Sequence, residues 1–166
     1  MRFDRFTVKA REAMTEAQRS AARLGNPEVR PGHLLAEMAR QENGVLERVC
    51  RFLGVPPADL TAAATQLTEG YPKVSGGAKP LLSREIQTVI DVAEAEAKNL
   101  GDSHLSVEML LLGLSAGSGR TGQRLRDLGL RRDALLPAIE HVRGGRAVTG
   151  DDPSPTTRRC PATRAT

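Results

Sequence analysis

Two short patterns in this sequence have the spacing of catalytic or cofactor-binding motifs. Residues 117–122 read Gly-Ser-Gly-Arg-Thr-Gly, the G-x-G-x-x-G spacing that holds dinucleotide phosphates between a strand and a helix. Residues 113–117 read Gly-Leu-Ser-Ala-Gly, the G-x-S-x-G spacing that presents a nucleophilic serine on a strand-to-helix turn. Both patterns follow a helical stretch and not a strand. We therefore predict an interhelical loop for the first and a helix end at Ser115 for the second.

The histidines and the remaining loops give no other candidate for catalysis. His33, His104 and His141 do not pair at metal-ligand spacing, and the sequence has no G-x-x-x-x-G-K-[ST] run. We expect no cofactor, no metal site and no enzyme activity in this chain. His33 is expected to pack near a helix start.

The composition favours a soluble helical domain. Of 166 residues, 39% are apolar and only 2% aromatic, so the core must consist mainly of Ala, Leu, Val and Ile. No apolar run approaches the roughly 20 residues that cross a bilayer, and the first residues do not resemble a secretion signal. Two cysteines cannot form a disulfide framework. We expect a cytoplasmic protein that does not bind a membrane.

The positive charge is concentrated at the C-terminal end. Residues 1–142 carry 19 Lys plus Arg and 18 Asp plus Glu, whereas residues 143–166 carry five Arg and two Asp. Nucleic-acid binding needs a basic face on the folded body. The near-neutral body therefore argues against a nucleic-acid partner.

The apolar periodicity predicts eight helices and no strand. These predicted helices run from about Asp4 to Leu24, from Pro31 to the break at Asn43-Gly44, from Val45 to Leu53, from Pro56 to Leu67, from Ser83 to Leu100, from Val107 to Leu114, from Thr121 to Leu128 and from Arg131 to Arg143.

The two halves repeat each other. A shift of 76 positions aligns Leu34-Leu35 with Leu110-Leu111, and a shift of 75 aligns Leu53-Gly54 with Leu128-Gly129. We predict a domain over residues 1–143, with repeat one at about 4–68, a linker at 69–82 and repeat two at about 83–143. Two such four-helix units can share one core. Residues 144–166 are predicted to be a linker and disordered tail.

Several segments of this sequence resemble the Clp N-terminal domain, a double Clp repeat, most of all the kind that begins ClpB-type disaggregase chaperones. The segments that carry the resemblance are residues 1–7, Pro31-Gly32-His33-Leu34-Leu35, Phe52-Leu53-Gly54-Val55, Pro72-Lys73-Val74-Ser75-Gly76 and Val142-Arg143-Gly144-Gly145. The resemblance covers about residues 1–152. It implies an all-α fold, a pseudo-twofold duplication of a four-helix Clp repeat.

The resemblance also implies a binding site near the junction of the repeats. Thr7, Asp102 and Glu108 match positions linked to substrate interaction, and Ile90 and Met109 match apolar positions of an adjoining groove. An apolar groove edged by carboxylates could hold hydrophobic and basic side chains of a client. The alternative is that Thr7 and Asp102 only cap or end helices and that Ile90 and Met109 are core residues.

A related Clp domain recognises phosphoarginine with a Glu in each repeat. In this chain the second of these positions is Glu108 but the first is Gly32. Because half of the acidic pair is missing, the resemblance does not imply phosphoarginine recognition.

The resemblance implies a module that binds unfolded or aggregated polypeptides, or an adaptor protein, for an ATP-driven disaggregase. Such family members are hexameric through their ATPase modules, so we expect this chain to be monomeric. The ATPase modules do not follow here, and permitted codons for the tail can spell the family's linker in another frame, which raises the hypothesis of a frameshift. The alternatives are an ordinary basic tail, an autonomous adaptor or decoy without a motor, and a small basic-tailed nucleic-acid-binding protein.

Overall fold

The computed structural model describes residues 4–42, 44–77 and 79–144, and this part of the chain is almost entirely helical. The helices are α1 (Val8–Arg23), α2 (Pro31–Arg40), α3 (Val45–Leu53), α4 (Pro57–Glu69), α5 (Arg84–Asn99), α6 (Val107–Ser115), α7 (Arg120–Asp127) and α8 (Arg132–Arg143). They confirm the predicted all-α class, and the bounds lie close to the predicted ones. The predicted tail lies outside the described residues from position 145 onward.

Equivalent residues begin the first helix of each repeat. The hydroxyl of Thr7 accepts a hydrogen bond from the amide of Ala10, 3.2 Å away, and so caps α1. The hydroxyl of Ser83 accepts from the amide of Ile86 at 3.2 Å and caps α5 in the same way. Both caps are 76 positions apart and satisfy an amide that has no partner within its helix.

Two short parallel strand contacts join the repeats, although the apolar pattern predicts no strand. Strand β1 (Glu28–Val29) pairs in parallel with β2 (Leu81–Leu82), and Phe6 forms a parallel bridge with Leu105. Two residues are too short a stretch for an alternating pattern to appear. In each contact, the segment before the first helix of one repeat pairs with the segment before the second helix of the other. The contacts are therefore related by the pseudo-twofold axis.

The helices pack both within and across the repeats. The most extensive packing joins α1 to α2 and α5 to α6, while α3 packs on α8 and α4 packs on α7. One continuous core contains residues of both repeats, including the fully buried Phe6, Met14, Leu34, Ile86 and Leu110. The shared core follows from the crossed packing. The predicted repeat and linker bounds stay a prediction, and β2 lies inside the predicted linker.

Candidate functional site

Asp102 and Glu108 lie together at the end of repeat two, where both bind the guanidinium of Arg143. Arg143 donates from Nη1 to Asp102 Oδ1 at 3.0 Å and from Nη2 to Asp102 Oδ2 at 2.8 Å. It also donates from Nε to Glu108 Oε2 at 2.7 Å and from Nη2 to the hydroxyl of Ser106 at 3.0 Å. The paired bonds to Asp102 match the planar fork of a guanidinium, so this cluster is an arginine-binding pocket filled by the chain itself.

The elements around this pocket explain its geometry. Asp102 follows the end of α5, Ser106 is the N-cap residue of α6, and Glu108 lies in the first turn of α6. The hydroxyl of Ser106 forms no capping bond to its own helix and accepts from Arg143 instead. Glu108 benefits from the positive end of the α6 dipole. Arg143 is the last residue of α8, which brings its side chain back across α6.

The pocket is closed to solvent and carries an excess of negative charge. The side chains are 4% exposed for Arg143, 0% for Asp102 and 4% for Glu108. Burial opposes the charge on Arg143, but Glu108 and Asp102 outweigh that effect and raise the pKa of Arg143 above its ordinary value. Two carboxylates therefore share one guanidinium in a place that water does not reach.

The other three predicted site residues lie elsewhere and are buried. Thr7 caps α1, and its backbone amide donates to the carbonyl of Leu105 at 2.9 Å. Ile90 and Met109 are 1% and 0% exposed and belong to the continuous core. The structure thus brings together only Asp102 and Glu108 of the five residues. The assignment of all five to client binding stays a prediction.

A groove does open at the junction of the repeats, close to Ile90 in the chain. It encloses about 420 Å³ between the start of α2, the first half of α5, the end of α6 and the start of α7. Its lining residues are Pro31, Glu85, Thr88, Val89, Leu114, Gly117, Ser118, Gly119, Thr121 and Gly122. Sequence reasoning missed these residues. The neighbour of Ile90, Val89, faces the groove because consecutive positions of a helix point in different directions.

The glycines of the G-x-G-x-x-G pattern shape this groove. A Cβ atom on Gly122 would lie 2.1 Å from the carbonyl oxygen of Gly117, so only glycine lets α7 approach that loop. A Cβ atom on Gly119 would lie 2.6 Å from a carboxylate oxygen of Glu85. The pattern precedes a helix but follows α6 and not a strand, as predicted. The close approach of backbone was the signal in the sequence that pointed to the groove.

The corresponding place in repeat one holds a neutral network. The backbone amide of Arg30 donates to His33 Nδ1 at 2.9 Å, which assigns the proton to Nε2, and Nε2 then donates to Asn26 Oδ1 at 2.8 Å. Asn26 passes the chain on by donating from Nδ2 to the carbonyl of Pro72 at 2.8 Å. Burial lowers the pKa of His33 to about 4, so its imidazole stays neutral near pH 7.

Tyr71 fills the space beside Gly32 in this repeat. The Gly32 amide donates to the phenol oxygen of Tyr71 at 2.9 Å, and a Cβ atom on Gly32 would lie 2.5 Å from that oxygen. A glutamate at position 32 would therefore displace Tyr71. Asn26 and Gly32 align with Asp102 and Glu108 at the shift of 76, so the two repeats hold different chemistry at equivalent positions.

The remaining catalytic candidate is a buried helix residue. Ser115 ends α6, is 2% exposed, and donates from its hydroxyl to the carbonyl of Leu112 at 2.9 Å. Among residues 4–42, 44–77 and 79–144, no cluster of His, Cys, Asp or Glu has the arrangement of a metal site. Within the same residues, none of the helices has the length and apolar character needed to span a bilayer.

Comparison with known proteins gives one consistent family. Residues 5–128 match the family model described as the Clp repeat (R) N-terminal domain. The chain is 38% identical over 149 residues to the chaperone protein ClpB of Corynebacterium efficiens and 34% identical over 151 residues to that of Mycobacterium tuberculosis. These matches cover 89% and 90% of this chain but only 18% of each relative.

Solved structures show the same fold. The Hsp104 N-terminal domain from Candida albicans superposes with a TM-score of 0.79 at 16% identity, covering 90% of this chain and 99% of that one. A complex of the ClpV N-domain with a VipB peptide superposes with a TM-score of 0.71 at 16% identity, covering 89% and 92%. The duplicated helices and the family match over most of the described residues lead to one conclusion: the chain belongs to the Clp N-terminal domain family, as a ClpB-like member.

Proposed function

We propose that this chain binds unfolded or aggregated polypeptides, or an adaptor that carries them, on behalf of a ClpB-like ATP-dependent disaggregase. The observation that supports the proposal is the groove at the junction of the repeats in a member of the Clp N-terminal family. A ClpV N-domain of the same fold forms a complex with a VipB peptide. The chain spans 18% of the length of its curated ClpB relatives, so ATP-driven disaggregation is part of the proposal for a longer protein.

The lining of the groove suits short apolar segments. Val89 and Leu114 supply aliphatic surface, and Pro31 closes one end. A volume of about 420 Å³ lies within the roughly 300–1,000 Å³ of ordinary ligand pockets and would hold a few side chains. Contact of this size is weak and tolerant of sequence, as recruitment of many clients requires. We place this function in the cytoplasm and assign it to a monomer.

The rim of the groove adds a preference for basic residues. Glu85 lines the groove and is about half exposed, and its carboxylate lies 3.4 Å from Nη2 of Arg30 on the other repeat. A lysine or arginine of the client can share this carboxylate at the rim. Unfolded segments that combine aliphatic and basic residues are the expected clients.

Thr88→Glu tests the groove because it places a carboxylate among the apolar lining residues. Thr88 is exposed, and its hydroxyl donates to the carbonyl four residues earlier, at Arg84. We expect the Kd for fluorescently labelled, reduced and carboxymethylated α-lactalbumin to rise about tenfold, which corresponds to about 1.4 kcal/mol. Fluorescence anisotropy measures this change.

Thr61→Glu is the matched control. Thr61 is also exposed and donates from its hydroxyl to the carbonyl four residues earlier, at Pro57, but it is not among the residues that line the groove. This variant should bind the labelled polypeptide as the native chain does. Equal weakening in both variants would show that charge and not the groove governs binding. Native affinity in Thr88→Glu would overturn the assignment of the groove.

A further inference from the structure

We propose that Arg143 is an internal competitor for a guanidinium site made by Asp102, Ser106 and Glu108, and that an arginine of a bound polypeptide takes this site when Arg143 leaves it. The inference rests on the proposed function, because it names a second contact that a client would use. It starts from a conflict in the structure. The two carboxylates expected to meet a client are already occupied by the chain's own arginine.

The pocket is complete for a guanidinium and for no smaller cation. Four hydrogen bonds reach Arg143 from three groups, with the two bonds to Asp102 parallel and the bond to Glu108 made by Nε. An ammonium group has three donors on one atom and cannot span both carboxylates in this way. The site therefore selects arginine over lysine.

The charge of the pocket requires a cation at all times. With Arg143 in place the site holds one positive and two negative groups, all with side chains 4% exposed or less. Two buried carboxylates without a counterion are strongly unfavourable. Departure of Arg143 is thus coupled to entry of another cation, which makes the two guanidinium groups competitors.

The position of Arg143 makes its exchange possible without opening the core. It is the last residue of α8, and Gly144 follows in a left-handed conformation with φ of 67°. The last turn of a helix lacks part of its hydrogen-bond ladder and opens at low free-energy cost. Asp102, Ser106 and Glu108 belong to the opposite end of α6 and stay in place when that turn opens.

Repeat one shows the same arrangement without the charge. There the segment just after the fourth helix supplies Tyr71, which packs against Gly32 and is stacked under the guanidinium of Arg30 at 5.0 Å. Asn26 stands where repeat two has Asp102. Each repeat thus fills this place from the end of its own fourth helix, and only the second repeat does so with an exchangeable ion pair.

The first test uses Arg143→Gln and the probe N-acetyl-L-arginine amide, with the citrulline and lysine analogues as controls. We expect Arg143→Gln to bind the arginine probe at least tenfold more tightly than the native chain does, with amide shift changes at Asp102, Ser106 and Glu108 in two-dimensional NMR. The citrulline and lysine analogues should not produce these changes. Equal binding of the three probes, or equal affinity of native and variant chains, would overturn the proposal.

The second test works on the native chain and does not depend on the variant folding. The Nε–H proton of Arg143 gives its own NMR signal, which should move or exchange faster when an excess of the arginine probe is added. A signal that stays unchanged while the probe is in excess would show that Arg143 is purely structural. Because neither test uses a client polypeptide, loss of client binding with retained probe binding would reject the proposed function and keep this site.

Discussion

Individual residues in this chain show that a buried polar side chain needs a complete set of partners. The guanidinium of Arg143 has two carboxylates and a hydroxyl, and the imidazole of His33 has one acceptor and one donor. His33 aligns with Met109, and its expected packing role near a helix start is consistent with its full burial. The hydrogen bonds of His33 then decide its charge state, because only the neutral ring can accept from Arg30.

His33 makes a prediction about pH at this scale. Its pKa is lowered from 6.5 to about 4, so between these pH values the unfolded chain binds a proton that the folded chain does not. The free energy of unfolding should therefore fall as the pH drops from 6.5 towards 4 and level off below, by up to about 3 kcal/mol. Urea unfolding at a series of pH values measures this dependence.

His33→Gln supplies the control for the pH prediction. Glutamine keeps a donor and an acceptor but does not titrate, so the difference between native and variant curves isolates the imidazole from the carboxylates. We expect that difference to change with pH only between about 4 and 6.5. A constant difference over the whole range would show that His33 titrates in the same way in the folded and unfolded chain.

At the scale of elements, glycines decide which helices can approach each other. Gly113 in α6 lies against the carbonyl oxygen of Val89 in α5, and Gly122 in α7 lies against the carbonyl oxygen of Gly117. Both are closer than a side chain allows. These contacts bring α5, α6 and α7 into the arrangement that forms the groove.

Gly122→Ala should destabilise the protein although alanine is the better helix former. Alanine gains about 1 kcal/mol of helix propensity over glycine. Its Cβ atom would lie 2.1 Å from a backbone oxygen that cannot rotate away, and overpacking of this kind costs about 1–3 kcal/mol. We expect a net loss of about 1 kcal/mol in unfolding free energy, together with weaker client binding, in urea titration and anisotropy.

Gly70→Ala is the control for this prediction. Gly70 has φ of −84°, and a Cβ atom there would lie 3.6 Å from the nearest atom, an ordinary contact. Its unfolding free energy should stay within about 0.5 kcal/mol of the native value. A Gly122→Ala variant as stable as Gly70→Ala would mean that α7 can move away from the loop.

At the scale of the whole molecule, the two repeats form one cooperative unit. The helices α3 and α4 of repeat one pack on α8 and α7 of repeat two, and the two parallel strand contacts each join one repeat to the other. The apolar faces of each repeat are covered by its partner. A single repeat would expose them to water.

A fragment of residues 1–76 should therefore fail to fold. We expect little helical circular dichroism from the fragment, whereas the whole chain should be mainly helical and unfold in a single transition. Mixing the fragment with residues 77–144 should restore part of the helical signal because the crossed contacts can re-form. A stably helical fragment, or two separate transitions in the whole chain, would contradict the shared core.

The sequence predicts the helices well because their signals are local. The spacing of alanine and leucine, the caps at Thr7 and Ser83 and the glycine stops at Gly54 and Gly129 act within a few residues, and each is found at its expected place. The internal repeat likewise predicts the duplicated architecture. These features depend on backbone conformations that neighbouring residues choose among themselves.

The pairing of Arg143 with Asp102 joins residues 41 positions apart, and the strand contacts join segments from different repeats. The sequence by itself determined that this chain is a duplicated helical domain of the Clp N-terminal family. Only the tertiary structure decided that Val89 lines the groove while Ile90 is buried, and that Arg143 occupies the two predicted client carboxylates. The physical reason is that helix formation is governed by short-range preferences, whereas burial and charge pairing depend on which distant surfaces the packed core brings together.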